Sequence, residues 1–396
     1  MEPSPSSSNI EKRIAFHFII LLGVVSLFGD ITYEGARSVT GPFLLTLGAN
    51  AAIVGLVAGV GESIGYALRL VSGLIADRTK AYWVLVFIGY GLILSIPLLA
   101  LANIWQVAAI FIILERTGKA IRTPARDTIL SHATKKVGRG WGFGIHEALD
   151  QVGAFAGPLV FSAVFFLGAG FKEGFTILWI PAILTLFILA LAKKKVPSPE
   201  KLEVPSGKLK EGSLKTGLPG VFWWYSLFIF LAVAGFASFP LISFHFKNYS
   251  IFPISLIPLL YAVAMGVDAL MALAIGKIYD KRGLASLAII PILTVCIPPL
   301  VFSKNFSLAL IAIFLWGAVM GAHETIMRAA LADLIPLERR GFAYGIFNTL
   351  YGVSWLFGGV VMGLLYEVSL GWLILFGATM EIACLPAFFL LRRKLS

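Results

Sequence analysis

The feature that most constrains this chain is a recurring run of about 20 apolar residues, long enough to cross a hydrocarbon layer of about 30 Å as a helix. Twelve such runs occur along the 396 residues. Inside lipid every backbone N–H and C=O group needs a partner within the protein, so the runs predict membrane helices. The predicted spans are 14–38, 50–75, 82–103, 105–125, 141–167, 173–192, 221–246, 252–277, 284–303, 306–330, 341–366 and 370–391.

The composition agrees with lipid as the solvent. The chain is 58% hydrophobic and 13% charged, which excludes an ordinary water-soluble domain. The first run is too long for a secretory signal and lacks its small-residue cleavage pattern, so we expect a retained membrane helix. Cys296 and Cys384 each fall inside an apolar span, which favours two small hydrophobic side chains over a disulfide or a metal pair.

The net charge of +11 indicates membrane topology and no nucleic-acid partner. If the spans alternate across the bilayer, and the charged half of the fourth span is counted with the side it faces, 27 of the 32 Lys and Arg residues fall on the side of both termini. The others are Arg37, Lys172, Lys247 and Lys304 on the far side and Arg69 inside a span. Because cytoplasmic loops carry an excess of Lys and Arg, we expect a protein of the cell (inner) membrane with both termini cytoplasmic.

A polar stretch at 193–220, rich in Lys, Pro, Gly and Ser, divides the spans into two sets of six. Its composition predicts a flexible cytoplasmic linker. The predicted organisation is therefore a six-helix bundle over 14–192 and a second over 221–391. Short cytoplasmic tails at 1–13 and 392–396 complete the chain.

The two halves repeat each other. Gly73, Asp77 and Arg78 form a Gly-x-x-x-Asp-cation pattern that recurs 203 residues later at Gly276 and Asp280. A second pair of segments supports the repeat: "RGWGFGIHEALDQVGAFAG" begins at residue 139, and "RGFAYGIFNTLYGVSWLFG" begins 201 residues later. Two matches at nearly the same offset predict a duplicated six-helix unit.

Twelve spans, a central linker and parallel halves resemble the major facilitator superfamily of transporters. The segment "GLIADRTKAYW" at 73–83 is similar to the family signature between helices two and three, with Lys80 in place of its second glycine. The second-half copy, "GKIYDKRG", keeps Gly283. The resemblance implies an all-α membrane protein with twelve helices in two pseudo-symmetric six-helix bundles.

A segment of helix five resembles part of a motif associated with antiporters. "GAFAGP" contains Gly153, Gly157 and Pro158, but the two glycines that usually follow are absent. The resemblance therefore implies a drug-exporter-like prokaryotic member and leaves the direction of transport open.

The resemblance also assigns roles to single residues. Arg116 matches the helix-four arginine that interacts with coupling carboxylates. The residues implied in gating are those of the two signature copies together with the start of helix eleven: Gly73, Asp77, Arg78, Gly276, Asp280 and Arg340.

Charges inside a span mark helix four. Glu115, Lys119, Arg122 and Arg126 are spaced i, i+4, i+7 and i+11, which places them along one stripe of a helix. A charge that faces lipid at mid-depth costs several kcal/mol, so the stripe is expected to line a central water-filled vestibule. The helix is expected to end before Pro124.

Two other interpretations of these charges stay open. Arg122, Arg126 and Asp127 could be loop charges at the cytoplasmic rim. Glu115 and Arg116 could form a buried pair that joins helix four to its neighbours.

Helices one and two carry further charges. Asp30 lies deep in helix one, whereas Glu34 and Arg37 are expected at its outer rim as a solvated ion pair. On helix two, Glu62 and Arg69 lie seven residues apart on one face, either in the transport pathway or as a buried structural pair.

Three more helices contribute polar residues to the predicted substrate and proton pathway. On helix five, His146 and Asp150 share the face that continues into the glycines, and this face is expected to slide against the other half. Asp268 stands alone in helix eight, where it needs a proton or a buried partner. His323 and Glu324 lie on helix ten.

Enzymatic functions find no support in the sequence. "HEALD" and "HETIM" begin like the zinc-protease signature but carry Asp150 and Met327 where the second His is required. No phosphate-binding loop is present, so a nucleotide-driven pump is not expected. We expect no metal and no cofactor.

The sequence therefore predicts a secondary active transporter that works by alternating access and functions as a monomer. The first hypothesis is proton-coupled export of a small amphipathic molecule. The alternatives are a proton-coupled importer of a small nutrient and an exporter of a metal ion or metal chelate. A channel or a non-transporting receptor is the alternative from a different class.

Overall fold

The structure, a computed structural model, describes residues 5–199, 218–335 and 340–394, although the side chains of 5–11, 135–136, 139, 328, 332 and 340–341 lie outside this description. The described residues form twelve helical segments, α1–α12, and no strand. The segments are α1 (Pro5–Thr46), α2 (Ala51–Thr79), α3 (Tyr82–Gly91, then Leu92–Ser95 and Pro97–Leu101), α4 (Trp105–Val137), α5 (Arg139–Phe166), α6 (Phe171–Ile177 and Trp179–Lys195), α7 (Gly220–Ala234 and Phe239–Asn248), α8 (Leu256–Arg282), α9 (Gly283–Ala288, Ile289–Thr294 and Ile297–Val301), α10 (Phe306–Leu334), α11 (Arg340–Val368) and α12 (Leu370–Arg393).

Length and hydropathy alone find ten candidate spans among the described residues, for two reasons. The charged α4 does not qualify, and α8 and α9 merge into one stretch of 46 residues. Tyr279 Oη donates a hydrogen bond to Asp333 Oδ2 at 2.6 Å, which places the end of α8 beside the end of α10. The last turn of α9 lies just before the start of α10. Because α10 has 29 residues, its start is about 40 Å from its end. Thus α9 crosses the membrane separately, and the total is twelve.

Twelve crossings put both ends of the chain on one side of the membrane, called here the terminal side. On the opposite side the halves α1–α6 and α7–α12 are in close contact. A Cβ atom added at Gly41 of α1 would lie 1.9 Å from the carbonyl oxygen of Pro240 in α7. Ser162 of α5 donates to the carbonyl oxygen of Ser255, just before α8, at 2.8 Å. The structure is therefore closed on the opposite side.

Both copies of the Gly-x-x-x-Asp motif are followed by a residue with positive φ, although ψ differs, at 15° for Lys80 and −141° for Gly283. Lys80 follows α2 with φ = 54°, and Gly283 follows α8 with φ = 55°. Positive φ caps a helix C-terminus at low cost only for glycine, so Lys80 carries the steric penalty of its Cβ. Asp77 and Asp280 consequently lie in the last turns of α2 and α8, and not in loops.

The prediction that helix four ends before Pro124 is wrong, because α4 continues to Val137. A proline cannot donate to the carbonyl four residues earlier, which here belongs to Ala120. Ser72 of α2 donates to that carbonyl oxygen at 2.7 Å. A side chain from a neighbouring helix thus replaces the missing bond and the helix continues.

The glycines of α5 do not meet the other half, contrary to the prediction. A Cβ at Gly153 would lie 2.4 Å from the carbonyl oxygen of Leu27, and one at Gly157 would lie 2.6 Å from that of Ile31. Both contacts are with α1, in the same half. Small residues here let two backbones approach closely and hold α1 and α5 together as one unit.

The predicted tails and linker fall partly outside the described residues. The helix α1 begins at Pro5, within the polar stretch predicted as a tail over 1–13. The helix α6 continues to Lys195, and α7 begins at Gly220, whereas most of the predicted linker, 200–217, is not described. The helix α12 ends at Arg393, inside the predicted tail 392–396.

We expect Gly153→Ala and Gly157→Ala to destabilise the protein by about 1–3 kcal/mol each, because the added methyl overpacks the α1–α5 contact. Gly144→Ala on the same helix is the matched control, since no atom lies within 4 Å of its added Cβ. Thermal unfolding of the detergent-purified variants measures the effect. Equal midpoints for all three variants would contradict the close packing.

Candidate functional site

A cavity of about 540 Å³ lies between the halves and reaches toward the terminal side, where Leu130 and Phe143 line it. All but two of the residues predicted for the pathway line this cavity. They are Asp30, Glu34, Glu62, Arg69, Arg116, Lys119, Arg122, His146, Asp150, Asp268 and Glu324.

The two exceptions are Glu115 and His323. Glu115 lies behind the cavity wall and is 2% exposed, with its carboxylate 3.7 Å from Arg116 Nε and 3.6 Å from Arg122 Nη2. His323 is buried at the edge of a side cleft, and its ring packs against Phe236 with centroids 5.0 Å apart. Neither ring nitrogen of His323 has a hydrogen-bond partner among the described residues.

Glu62 of α2 is the centre of a buried ion-pair network. Its Oε1 atom lies 2.8 Å from Nη2 of Arg37 on α1 and 3.3 Å from Nη2 of Arg116 on α4. Arg37 also lies 3.6 Å from Glu34 Oε1, and Arg116 continues the network to Glu115. Alternating charges join three helices, so each buried charge has an opposite charge beside it.

The prediction that Glu34 and Arg37 form a solvated pair at the outer rim is wrong. Glu34 is only 4% exposed. The reason is that α1 continues to Thr46, more than two turns beyond Arg37, so the pair lies inside the protein. Glu34 Oε2 also accepts a hydrogen bond from Tyr261 Oη at 2.6 Å, which connects α1 to α8 of the other half.

Aromatic rings contact two further cations of α4. Lys119 donates a hydrogen bond to Tyr33 Oη, and its Nζ atom lies 4.0 Å from the centroid of that ring. The guanidinium of Arg122 lies 4.7 Å from the ring centroid of Tyr90. Cations are attracted to aromatic faces, and the attraction increases when both groups are removed from water.

Other cavity cations use polar partners. Arg126 pairs with Asp127 at 3.0 Å and donates to Ser26 Oγ at 2.9 Å. Arg69 donates to the carbonyl oxygen of Gly65 at 2.9 Å, and its guanidinium lies 4.6 Å from the ring centroid of Tyr66.

Five cavity carboxylates have no ion pair with a described cation: Asp30, Glu147, Asp150, Asp268 and Glu324. Asp30 of α1 lies beside α5, within 3.0 Å of the position of a Cβ added at Gly153, one turn from Asp150. One carboxylate oxygen of Asp150 is buried with no described hydrogen-bond partner. Both halves of the molecule thus present unpaired carboxylates to one cavity.

The two walls of the cavity differ in chemistry. All of its described Lys and Arg residues come from α1, α2 and α4. The other half contributes two carboxylates together with Tyr261, Met265, Met320 and Trp355. The first wall is charged, and the second is largely aromatic and thioether.

Sequence reasoning missed several cavity residues. Tyr33 lies between Asp30 and Glu34 in a charged run, so its position offered a signal. Tyr261 and Trp355 are single aromatic residues in apolar spans, and no spacing distinguishes them from residues that face lipid.

The predicted gating residues lie at the terminal-side ends of α2, α8 and α11. Asp77 and Arg78 are exposed in the last turn of α2, where Gly73 is close to Pro124. Gly276 packs near Thr325 of α10, and Asp280 lies in the last turn of α8. The side chain of Arg340 is outside the described residues, so its contact with Asp77 stays a prediction. Among the described residues, no group of three or more His, Cys, Asp or Glu side chains could hold a metal ion.

Two six-helix halves around a polar cavity that is closed on one side define a membrane transport protein. The model of the Major Facilitator Superfamily matches residues 20–359 and 286–395. The chain belongs to this superfamily. It is a multi-pass membrane transporter and not an enzyme, as predicted.

Two relatives agree with this assignment. An uncharacterized protein of Mycobacterium tuberculosis is 40% identical over 382 residues, which cover 96% of this chain and 93% of the relative. An uncharacterized MFS-type transporter of Methanocaldococcus jannaschii is 29% identical over 402 residues, which cover 96% of both proteins.

Solved structures share the fold. A bacterial homolog of the human lysosomal transporter Spinster, in an inward-facing and unoccupied conformation, has a TM-score of 0.76 at 16% identity and covers 96% of this chain and 97% of that one. The nucleoside transporter NupG has a TM-score of 0.70 at 15% identity and covers 94% and 98%. The predicted all-α, twelve-helix fold is confirmed, whereas the drug-exporter subtype stays a prediction.

We expect Glu62→Gln to lower the free energy of unfolding by about 3–5 kcal/mol, because it leaves Arg37 and Arg116 buried without their shared carboxylate. The control is Asp127→Asn, since the Asp127 side chain is 45% exposed and such a pair contributes about 0–1 kcal/mol. Thermal unfolding in detergent compares the two. A loss for Asp127→Asn as large as that for Glu62→Gln would contradict the central role of Glu62.

Proposed function

We propose that this transporter couples proton movement to the export of a small amphipathic molecule. It works as a monomer in the cell (inner) membrane, with the terminal side facing the cytoplasm. The observation that carries the proposal is the set of unpaired carboxylates in a cavity whose cations are already engaged. The excess of Lys and Arg on the terminal side supports the orientation. In that orientation the structure is open to the inside.

Alternating access requires the closed side to open while the open side closes. The contacts that must break are those between the halves on the opposite side, including Gly41 against Pro240 and Tyr261 with Glu34. The α1–α2–α4 network lies within one half, so it can stay intact as the halves rock. The Tyr261–Glu34 hydrogen bond connects the rocking motion to this network.

Proton coupling requires a carboxylate that exchanges its proton with the cavity. Asp30 and Asp150 meet this requirement, because both line the cavity and neither pairs with a described cation. Glu115 does not line it and contacts two guanidinium groups, which favours a structural role. A proton that crosses 100 mV carries about 2.3 kcal/mol, enough to bias a two-state cycle.

The cavity walls favour an amphipathic substrate. Its volume lies within the range of about 300–1,000 Å³ that is common for small-molecule sites. The charged wall can take the polar part of the molecule, and Trp355, Met265 and Met320 can take the apolar part. The resemblance of the Gly153–Pro158 segment to the antiporter motif favours export over import. Import of a nutrient is the alternative, with the same binding site and the opposite net direction.

We expect Asp30→Asn and Asp150→Asn to abolish accumulation driven by a pH gradient, and at least one of them to retain exchange without a gradient. Exchange needs substrate binding and rocking but no net proton movement. Glu115→Gln is the comparison variant, because we expect its main effect to be a lower stability of the protein. A thermal-shift screen of drugs, metabolites and metal salts identifies a substrate, which is then labelled for transport assays in proteoliposomes. Full gradient-driven transport in both aspartate variants would refute coupling through these residues.

We expect Asp77→Ala to shift the protein toward the state that is open on the terminal side and to slow transport. A carboxylate near the start of α11 is favoured there by the free N–H groups and partial positive charge of a helix N-terminus. Cysteines introduced on the terminal side should become more accessible to a thiol reagent. Asp280→Ala is the matched change in the second half and should have the smaller effect. A larger effect for Asp280→Ala would reverse the assignment of the two gates.

A further inference from the structure

A second cavity lies on the outer surface of the first half, between the start of α1 and the end of α6. Its volume is about 410 Å³. It shares no lining residue with the central cavity, so it does not belong to the transport pathway. The residues that line it are Arg13, Ile14, His17, Phe18, Lys195 and Val196.

The floor of this groove is apolar and held in place. Phe18 is 1% exposed and Val196 is 5% exposed. The ring of Phe18 packs edge-on against Trp83, with centroids 6.1 Å apart, and Trp83 Nε1 donates to the carbonyl oxygen of Pro197 at 3.1 Å. These contacts fix the end of α6 beside α1, so the groove is part of the folded bundle.

The rim of the groove is basic. Arg13 and Lys195 are exposed, and neither has an ion pair with a described carboxylate. His17 Nδ1 lies 2.7 Å from the carbonyl oxygen of Arg13. A carbonyl oxygen only accepts, so Nδ1 carries the hydrogen, and Nε2 of the neutral ring can accept a hydrogen bond from a hydroxyl group of a ligand.

The depth of the groove identifies the environment of these cations. One candidate membrane span begins at Lys12 and another ends at Lys195. The rim therefore lies at the level of lipid headgroups on the terminal side. Ile14, one residue deeper along α1 than Arg13, is 46% exposed, as expected for a side chain that contacts acyl chains.

We propose that the groove binds an anionic glycerophospholipid of the leaflet on the terminal side. Arg13 and Lys195 hold its phosphate, and an acyl chain lies along Phe18 and Val196. Arginine and lysine bind phosphate oxygens through charge-assisted hydrogen bonds, and basic pockets between membrane helices select anionic headgroups. The groove is larger than a phosphate requires, and its apolar floor gives the lipid a second point of contact. The lipid would connect α1 to the end of α6.

Native mass spectrometry of the detergent-purified full chain tests the proposal, with phosphatidylglycerol and phosphatidylcholine as probes. We expect the fraction bound to phosphatidylglycerol to fall by about tenfold or more in Arg13→Gln/Lys195→Gln, because two basic contacts are lost. The matched control is Lys12→Gln/Lys194→Gln, which removes the same charge one residue away on the same two helices. The control should bind like the parent protein. Equal losses in the two double variants would overturn the site.

Two further arms separate the sources of the phosphate and confirm folding. We expect phosphatidylglycerol to raise the unfolding temperature of the parent and the control but not of Arg13→Gln/Lys195→Gln. The unfolding temperature without lipid checks that all variants fold. Equal stabilisation by phosphatidylcholine would overturn the selection for negative charge. Equal stabilisation by inorganic phosphate at the same concentration would overturn the assignment to a lipid.

Discussion

The arrangement of the first half depends on one buried carboxylate, Glu62, between two guanidinium groups. Charges at this depth in a membrane cost several kcal/mol unless they are paired, so α1, α2 and α4 must stay in register for Arg37, Glu62 and Arg116 to compensate one another. The continuation of α4 through Pro124 also depends on a partner for a buried polar group. A polar group freed inside the bundle receives a donor, Ser72, from the adjacent helix. The geometry of the cavity wall is therefore set by buried polar groups that need partners on adjacent helices.

The two duplicated halves share the same arrangement of helices but differ in their buried residues. At an offset of 201 residues, Glu115 of α4 corresponds to Trp316 of α10. Trp316 stacks on Phe236 with centroids 5.4 Å apart and donates to the carbonyl oxygen of Ala237 at 2.9 Å. An ion-pair network in one half thus has an aromatic cluster as its counterpart in the other. This difference gives the cavity one charged wall and one wall that is largely apolar, and it supports the proposal that the substrate is amphipathic.

Motion and rigidity are divided between different contacts. Within the first half, Gly153 and Gly157 bring α5 against α1, and the ion pairs join α1 to α2 and α4. Between the halves, contact on the opposite side uses small residues and single hydrogen bonds, such as that from Tyr261 to Glu34. The ion pairs are costly to break because each loss leaves a buried charge unpaired, whereas the single hydrogen bonds between the halves can be exchanged for water in an open state. The fold therefore favours movement of whole halves.

The sequence by itself determined the twelve crossings, the duplication and most of the charged residues that line the cavity. Hydropathy counts crossings because lipid excludes unpaired backbone groups, and charged residues inside apolar spans must face water or a partner. Only the tertiary structure decided which partner each residue meets. Spacing placed Glu115 on the cavity stripe and Glu34 at a rim, yet Glu115 lies behind the wall and Glu34 is buried against Tyr261. Helical periodicity groups residues on a face, but the neighbour opposite that face comes from segments distant in sequence, such as α8 for Glu34 and α1 for Gly153.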